Sequence, residues 1–388
     1  MNSTASVPGR TLPRLWFHGL VCEDPAQSAA TLARLGVSRL VHGRSASDVF
    51  ATHAAGLEPW VCLGALSVPR EDTHLHCRSL DGEPRYWFGS GCPSNPEVRK
   101  LLLERVREAA GWGAAGILLD GIRFASPYEG PDTFLTCTCR WCHAAAADHG
   151  ISLGRVATAL REARDRLAGA TDAEAGVLAA GLTAPFDTLA YLSGSELLLQ
   201  WLRFRSAIIA DAIAEVRAVI DAAAPGTSLG AYVFTPSLAP LVGQDYRLLE
   251  ANLDVVAPMV YRLGDGPACL APEIRGLAGL ARSIGPELRE ATALRLLGLS
   301  AGGRPGIQEG PELAVDAVAI EVRRARARLR CRAELVPVLW LDDPSVASAV
   351  AASLQGAPEG ISFFPTGDQR EQRLAQVAAY FEQCRLSP

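Results

Sequence analysis

The pattern of apolar runs predicts an α/β protein, a single (β/α)8 TIM barrel with a helical insertion after its fourth strand. Three observations predict it. Eight short, β-rich apolar runs recur along the 388 residues. Each is followed by Gly, Pro, Ser or Asp and then by a helical apolar period, the alternation that builds parallel βαβ units. Runs such as Gly116-Ile117-Leu118-Leu119 and Val336-Pro337-Val338-Leu339 are nearly continuous in apolar residues, as suits strands buried on both faces.

In order, the runs are 15–21, 39–42, 59–66, 116–124, 228–234, 255–261, 335–341 and 360–364. Eight strands with intervening helices make one closed barrel the economical topology, so residues 1–388 are read as one domain. The helix at 96–111 opens with Pro96, carries Glu97 in its first turn and lines Val98, Leu101, Leu102, Val106 and Ala109 along one face. A longer helix at 195–224 shows an inward face of Leu198, Leu199, Leu202, Ile208, Ile209, Ile213, Val216 and Ile220 and stops before Pro225-Gly226. Between strand four and that helix lie about seventy residues, far beyond an ordinary βα loop, so 125–195 is read as an insertion with helices of its own at 156–180. The Ala/Arg-rich segment 314–330 reads as one solvated helix.

Composition excludes several classes. Lys and Arg number 37 against 42 Asp and Glu, a net charge of −5, and no basic run interleaves with aromatics, so a nucleic-acid partner is not expected. No apolar stretch reaches membrane-spanning length, and the Ser/Thr/Pro-rich start has neither the charged n-region nor the apolar core of a signal peptide. A cytoplasmic location is therefore expected, and the pattern assigns no oligomeric state. The ten cysteines are accordingly read as thiols or metal ligands rather than disulfides, with Cys22, Cys62, Cys269, Cys331 and Cys384 as packing residues.

In a β/α barrel the active site is built where the strands end. Strand one offers His18 there, strand four Asp120 and Arg123, strand six Tyr261, and strand seven Trp340, Asp342 and Asp343. Asp120 follows Ile117-Leu118-Leu119, which places a carboxyl at the mouth of an apolar barrel, with Arg123 near enough to hold it ionised. The alternative is a structural ion pair or a helix cap. A second carboxyl group is needed for glycosidic chemistry. Asp342 is the first choice, followed by Asp343, Glu71 and Asp265, although Asp342-Asp343-Pro344 also reads as a turn and cap.

Trp16, Trp60, Trp87, Phe88, Phe124, Tyr128, Tyr261 and Trp340 are expected near the rim, where flat apolar rings suit sugars, with Tyr261 and Trp340 the favoured pair and core packing the alternative for each. Arg205, early in the long helix, is either a substrate contact or a residue on a solvated face. Gln244-Asp245 is either a substrate contact or the opening of the helix holding Leu248, Leu249 and Leu253, the second being favoured.

Cys137-Thr138-Cys139-Arg140-Trp141-Cys142-His143 places three thiols within one turn of chain, the pattern of a metal knuckle. Cys92, Cys77 or His143 would supply the fourth ligand of a structural zinc; free thiols or a disulfide to Cys92 are the alternatives. A catalytic zinc is not expected, and the glycosidic chemistry requires no cofactor.

The segment Cys92-Pro93-Ser94-Asn95-Pro96-Glu97-Val98-Arg99, then 116–124, then the cysteine knuckle, resembles the glycosyl-hydrolase-like barrel families in both motif and order. Gly243-Gln244-Asp245 followed by Asp254-Val255-Val256-Ala257-Pro258-Met259-Val260-Tyr261 extends the similarity, which covers around half the chain. The resemblance implies a TIM barrel related to retaining glycosidases and amylase-like enzymes, with Asp120 at the acidic position that ends strand four. The expectation is a glycoside hydrolase acting on a carbohydrate or glycoconjugate. Asp120 would be nucleophile or cation stabiliser and Asp342 acid/base, with Arg123 orienting Asp120 and with Tyr261, Trp340, His18 and Arg205 contacting substrate. The rivals are a sugar-binding barrel that has lost catalysis and a metal-dependent lyase or an aldolase; no Lys follows a strand end to support Schiff-base chemistry.

Overall fold

A computed structural model describes residues 12–181, 195–299, 313–330 and 332–386. Its core is one nine-stranded sheet. The strands are β1 (Arg14–His18), β2 (Val37–Val41), β3 (Glu58–Gly64), β4 (Gly116–Asp120), β5 (Ser228–Val233), β6 (Val255–Pro258), β7 (Glu334–Leu335), β8 (Val338–Trp340) and β9 (Gly360–Phe364). Every neighbouring pair is parallel, in the order β8-β9-β1-β2-β3-β4-β5-β6-β7. Met259 bridges Val338 in parallel, and the Val260 amide donates to the Val338 carbonyl, so the two ends of that order meet and the sheet curls round on itself. Only Val336 and Pro337 separate β7 from β8.

Helices cover the outside, and the first three are started by side-chain caps. In α1 (Pro25–Arg34) the Asp24 carboxylate accepts from the Ala26 amide at 2.9 Å, and α2 (Ala46–Ala54) is capped by Ser45. α3 (Pro96–Ala110) combines the Asn95 cap with proline in its first turn, and Val98, Leu102, Val106 and Ala109 are its buried face, as the apolar period predicts. Between β4 and β5 come α4 (Arg140–Asp148), α5 (Leu153–Ala168), α6 (Asp172–Gly181) and the 28-residue α7 (Glu196–Ala223). The segment expected as an insertion thus carries several helices joined by loops where it is described; residues 182–194 lie outside the described part, as does Cys331. The 314–330 helix spans Asp316–Arg328, and it is not solvated all round: Val318, Glu321 and Val322 are buried.

The barrel is plugged at the end where the strands begin. Trp16 and Trp60 lie 4.8 Å apart and are almost completely buried. The Arg39 guanidinium sits over both rings and pairs with Glu58 at 2.8 Å and Glu334 at 2.7 Å. Glycine makes room for the rings: a Cβ on Gly116 would lie 2.6 Å from the Trp60 ring, and one on Gly360 2.6 Å from the Trp16 nitrogen. This places Trp16 and Trp60 at the opposite end from the strand termini, a correction to their expected place at the rim. The alternation of side chains along a strand is visible in sequence, but not the height at which an inward ring sits.

Because Trp60 has no free volume to retreat into, Gly116→Ala is expected to destabilise the fold by about 1–3 kcal/mol through overpacking. Urea unfolding checks this, and an unchanged midpoint would contradict the plug.

Candidate functional site

The carboxyl ends of the strands bring together residues distant in sequence. Asp120 is the last residue of β4, paired in register with Gly64 at the end of β3. Gly121, at φ +70°, turns the chain immediately afterwards, and the ring of Phe88 lies so close that a Cβ there would sit 3.2 Å from it. Phe88 is half exposed and itself has φ +48°, an uncommon conformation for a bulky residue. Asp120 is surrounded by protein yet still touched by solvent, so it lies in a recess. Burial pushes its pKa above the ordinary carboxylate value, with the charge of Arg123 and the Gly121 amide only partly opposing it. Its charge adds to burial in raising the pKa values of Cys62, Tyr232 and Tyr261.

Arg123 does not orient Asp120. Its guanidinium donates to Glu129 at 3.0 Å and to the Phe124 carbonyl at 3.0 Å, and it is stacked among Trp87, Phe88 and Phe234. The Gly121 turn carries it away from the carboxyl, and it acts on Asp120 through charge alone. Its charge opposes the effect of burial on that carboxyl without cancelling it, contrary to the sequence expectation.

Opposite β4, Tyr261 and Trp340, the favoured pair of the expected rim aromatics, do converge. Tyr261 meets Trp340 edge-on at 4.9 Å, and Trp340 stacks on Phe364 at 5.8 Å with an interplanar angle of 13°. His18 stacks on the same Phe364 at 4.5 Å, and its Nδ1 lies 2.7 Å from the Tyr232 hydroxyl. Burial, aided by His42, lowers the His18 pKa to about 4, so the imidazole is neutral at physiological pH. Phe364, Tyr232 and Cys62 are not singled out by the sequence as site residues. Phe364 could have been, because it ends a strand just as Trp340 does; Tyr232 and Cys62 lie within their strands and carry no such signal.

The strand-seven acids separate into two roles. Asp343 is buried and forms a bidentate pair with Arg262, both contacts at 2.6 Å, which removes it as a proton donor. Asp342 accepts from the Thr366 hydroxyl and amide, both at 2.6 Å, and from the Gly367 amide at 2.9 Å, with Arg373 at 3.5 Å. Partial burial alone would raise its pKa, but these donors and the Arg373 charge hold it below the usual carboxylate value. Asp342 is therefore suited to remain ionised. Asp265 is exposed beside Arg275, and Glu71 is exposed. Glu273, pushed up to about 7 by burial, accepts from Ser126, Tyr128 and Ala268 and ties the loop after β4 to the loop after β6; it is fully buried, out of a substrate's reach. Gln244 is buried and Asp245 caps the short helix Tyr246–Leu249, in line with a helix opening.

Arg205 is neither a substrate contact nor a solvated residue. It is completely buried, and its guanidinium donates to the carbonyls of Leu241, Phe134 and Thr136. A cleft of about 660 Å³ lies elsewhere, on the outside of the barrel among α3, α4 and α7, where Arg99, Lys100, His149, Asp211 and Glu215 line it. It shares no residue with the strand ends, and its mixed charges favour no one ligand.

The sulfur atoms of Cys92, Cys137, Cys139 and Cys142 all lie within 4.8 Å of one another. Cys92 is 3.5 Å from Cys142, 3.6 Å from Cys139 and 3.7 Å from Cys137. Four thiolates at about 2.3 Å around a tetrahedral zinc would be spaced by about 3.8 Å, so the set fits that ion. His143 is exposed and outside the group; Cys77 is buried beside it.

No family model and no curated protein sequence matches the chain. Solved structures do. The catalytic domain of β-amylase from Paenibacillus polymyxa is matched at 13% identity and TM-score 0.52, over 95% of this chain and 98% of that one. A GH42 β-galactosidase from G. stearothermophilus is matched at 11% identity and TM-score 0.54, over 96% of this chain and 57% of that one. The β-galactosidase from Bacillus circulans sp. alkalophilus gives 11% and 0.53, over 96% and 56%. The chain spans a little over half the length of the galactosidases and nearly all of the amylase domain. It shares their TIM-barrel-like fold. Among the described residues, no helix is long and apolar enough to cross a membrane.

The neutral state of His18 has a consequence for stability. The unfolded chain takes up a proton on this residue near pH 6.5, whereas the folded chain resists until about pH 4. Stability is therefore full above about pH 6.5 and falls as the pH drops towards 4. His18→Gln should flatten that acid slope in urea titrations made at several pH values; an unchanged slope would place the acid sensitivity elsewhere.

Proposed function

We propose that the chain is a glycoside hydrolase, with β7 and β8 counted as one interrupted strand of a (β/α)8 barrel and residues 125–195 as an insertion after its fourth strand. The reading rests on one observation above all: a protonatable carboxyl, Asp120, in a recess lined by aromatic side chains, on a fold held by known glycosidases. Two carboxyl groups whose surroundings push their pKa values apart suit an acid and an anion. The electrostatics favour the reverse of the roles expected from sequence. Asp120, raised by burial, gives its proton to the glycosidic oxygen as the bond to the anomeric carbon breaks. Asp342, held ionised, faces the positive charge that develops on the sugar ring, and a water then bonds to the anomeric carbon as its proton returns to Asp120. Tyr261, Trp340 and Phe364 supply the apolar surface for the ring's C–H face, and neutral His18 a polar edge for a hydroxyl.

A sugar-binding barrel without turnover is the second reading, favoured by the hydrogen bonds that already occupy Asp342. Aryl glycosides separate the two. Asp120→Asn should slow hydrolysis of substrates with poor leaving groups by about 10²–10⁴-fold and spare those with good ones, because protonation matters less as the leaving group becomes more acidic. Asp342→Asn should impair both. Binding without hydrolysis by the wild type across an aryl-glycoside panel would favour the second reading.

Cys92, Cys137, Cys139 and Cys142 would hold a structural zinc that ties the loop before α3 to the segment before α4, with no part in the chemistry. The expected metal content is about one zinc per chain, and Cys92→Ser should lose it together with thermal stability. Metal-free wild-type protein with unaltered stability would leave the cysteines as free thiols.

A further inference from the structure

Arg205 has no visible reason to be charged where it is. Its side chain is wholly buried, flat against Trp201 at 4.2 Å and near Phe124 at 4.8 Å. Among the described residues it has no carboxylate at ion-pair distance; its donors are spent on the carbonyls of Ala125, Phe134, Thr136 and Leu241, and its Nε has no partner. Carbonyl dipoles solvate a guanidinium without neutralising it, and an uncompensated buried charge is strongly unfavourable.

The groups close enough to act on Arg205 electrostatically are the sulfurs of Cys77, Cys137 and Cys142, together with the like charge of Arg123. Thr136, whose carbonyl it binds at 2.8 Å, immediately precedes Cys137. Neutral thiols or disulfides would leave the guanidinium unbalanced. Four thiolates on a divalent ion carry a net charge of about −2, which would more than offset it. Backbone amides already point at the sulfurs: Arg78 donates to Cys137 at 3.2 Å and Cys142 to Cys139 at 3.4 Å.

We propose that Arg205 is the internal counter-ion of a metal–thiolate centre at Cys92, Cys137, Cys139 and Cys142, and that it links occupation of that centre to the loop after β5. The inference rests on reading the four cysteines as a metal site. Arg205 reaches the 239–242 turn through the Leu241 carbonyl and the cysteine segment through Thr136, so one charged fork spans both.

The test uses the full chain loaded with zinc or with cobalt(II), whose thiolate charge-transfer absorption reports the same ligands. In competition with a chelator, Arg205→Met should bind zinc about tenfold or more weakly, while Arg205→Lys, which keeps the charge, retains most of the affinity. Arg205→Met should also lose more thermal stability with zinc present than after chelation. Equal zinc affinity for Arg205→Met and wild type, or equal stability losses with and without metal, would overturn the proposal and make Arg205 a loop tie alone. If Arg205→Met does not fold, hydrogen exchange on the wild type decides: stripping zinc should deprotect 239–242 along with the cysteine segment, and protection that persists there overturns the proposal. Wild-type protein that takes up neither metal overturns both this proposal and the metal reading; uptake with unchanged affinity in the variant overturns this one only.

Discussion

The parallel direction of the sheet strands is the constraint on which everything else depends. Because each neighbouring pair runs the same way and the ends of the sheet meet at Met259 and Val338, the strands' carboxyl termini gather at one end. Asp120, His18, Trp340 and Phe364 come from four different strands, yet each is the last residue of its own. The same geometry creates the opposite end, where the strands begin and must be closed against water. Trp16, Trp60 and Arg39 do this with ion pairs to Glu58 and Glu334, so the recess has a rigid base.

At the open end, environment and not residue type assigns the carboxyl roles. Asp120 and Asp342 are the same amino acid at comparable places on two strands. One is surrounded by apolar and aromatic groups with no side-chain donor among the described residues; the other is gripped by a hydroxyl, two amides and a nearby guanidinium. Their pKa values therefore move in opposite directions, the arrangement that acid-assisted bond cleavage uses.

The buried charges elsewhere are chiefly structural. Asp343 with Arg262, and Glu273 with the Tyr128 amide, join loops that follow different strands, whereas Glu129 with Arg123 braces the single loop after β4. Each is satisfied, as burial demands. Arg205 stands out because its partners are carbonyls and aromatic rings rather than a carboxylate, one of those carbonyls belonging to the residue before Cys137.

The sequence by itself determined the alternation of strands and helices, because apolar periods of 2 and 3.6 and the caps at Asn95, Ser45 and Asp245 are local properties of the chain. It also placed Asp120, Tyr261 and Trp340 at strand ends and grouped three of the four clustered cysteines. Tertiary structure alone decided the rest. Phe364 and Tyr232 enter the recess, Trp16 and Trp60 leave the rim for the plug, Arg123 turns to Glu129, and Arg205 sinks beneath the thiols. The physical reason is that hydrogen bonding, burial and charge pairing act between residues such as Asp342 and Thr366, or Arg205 and Leu241, brought together only when the sheet curls. A residue's place in a strand is written locally; what faces it is not.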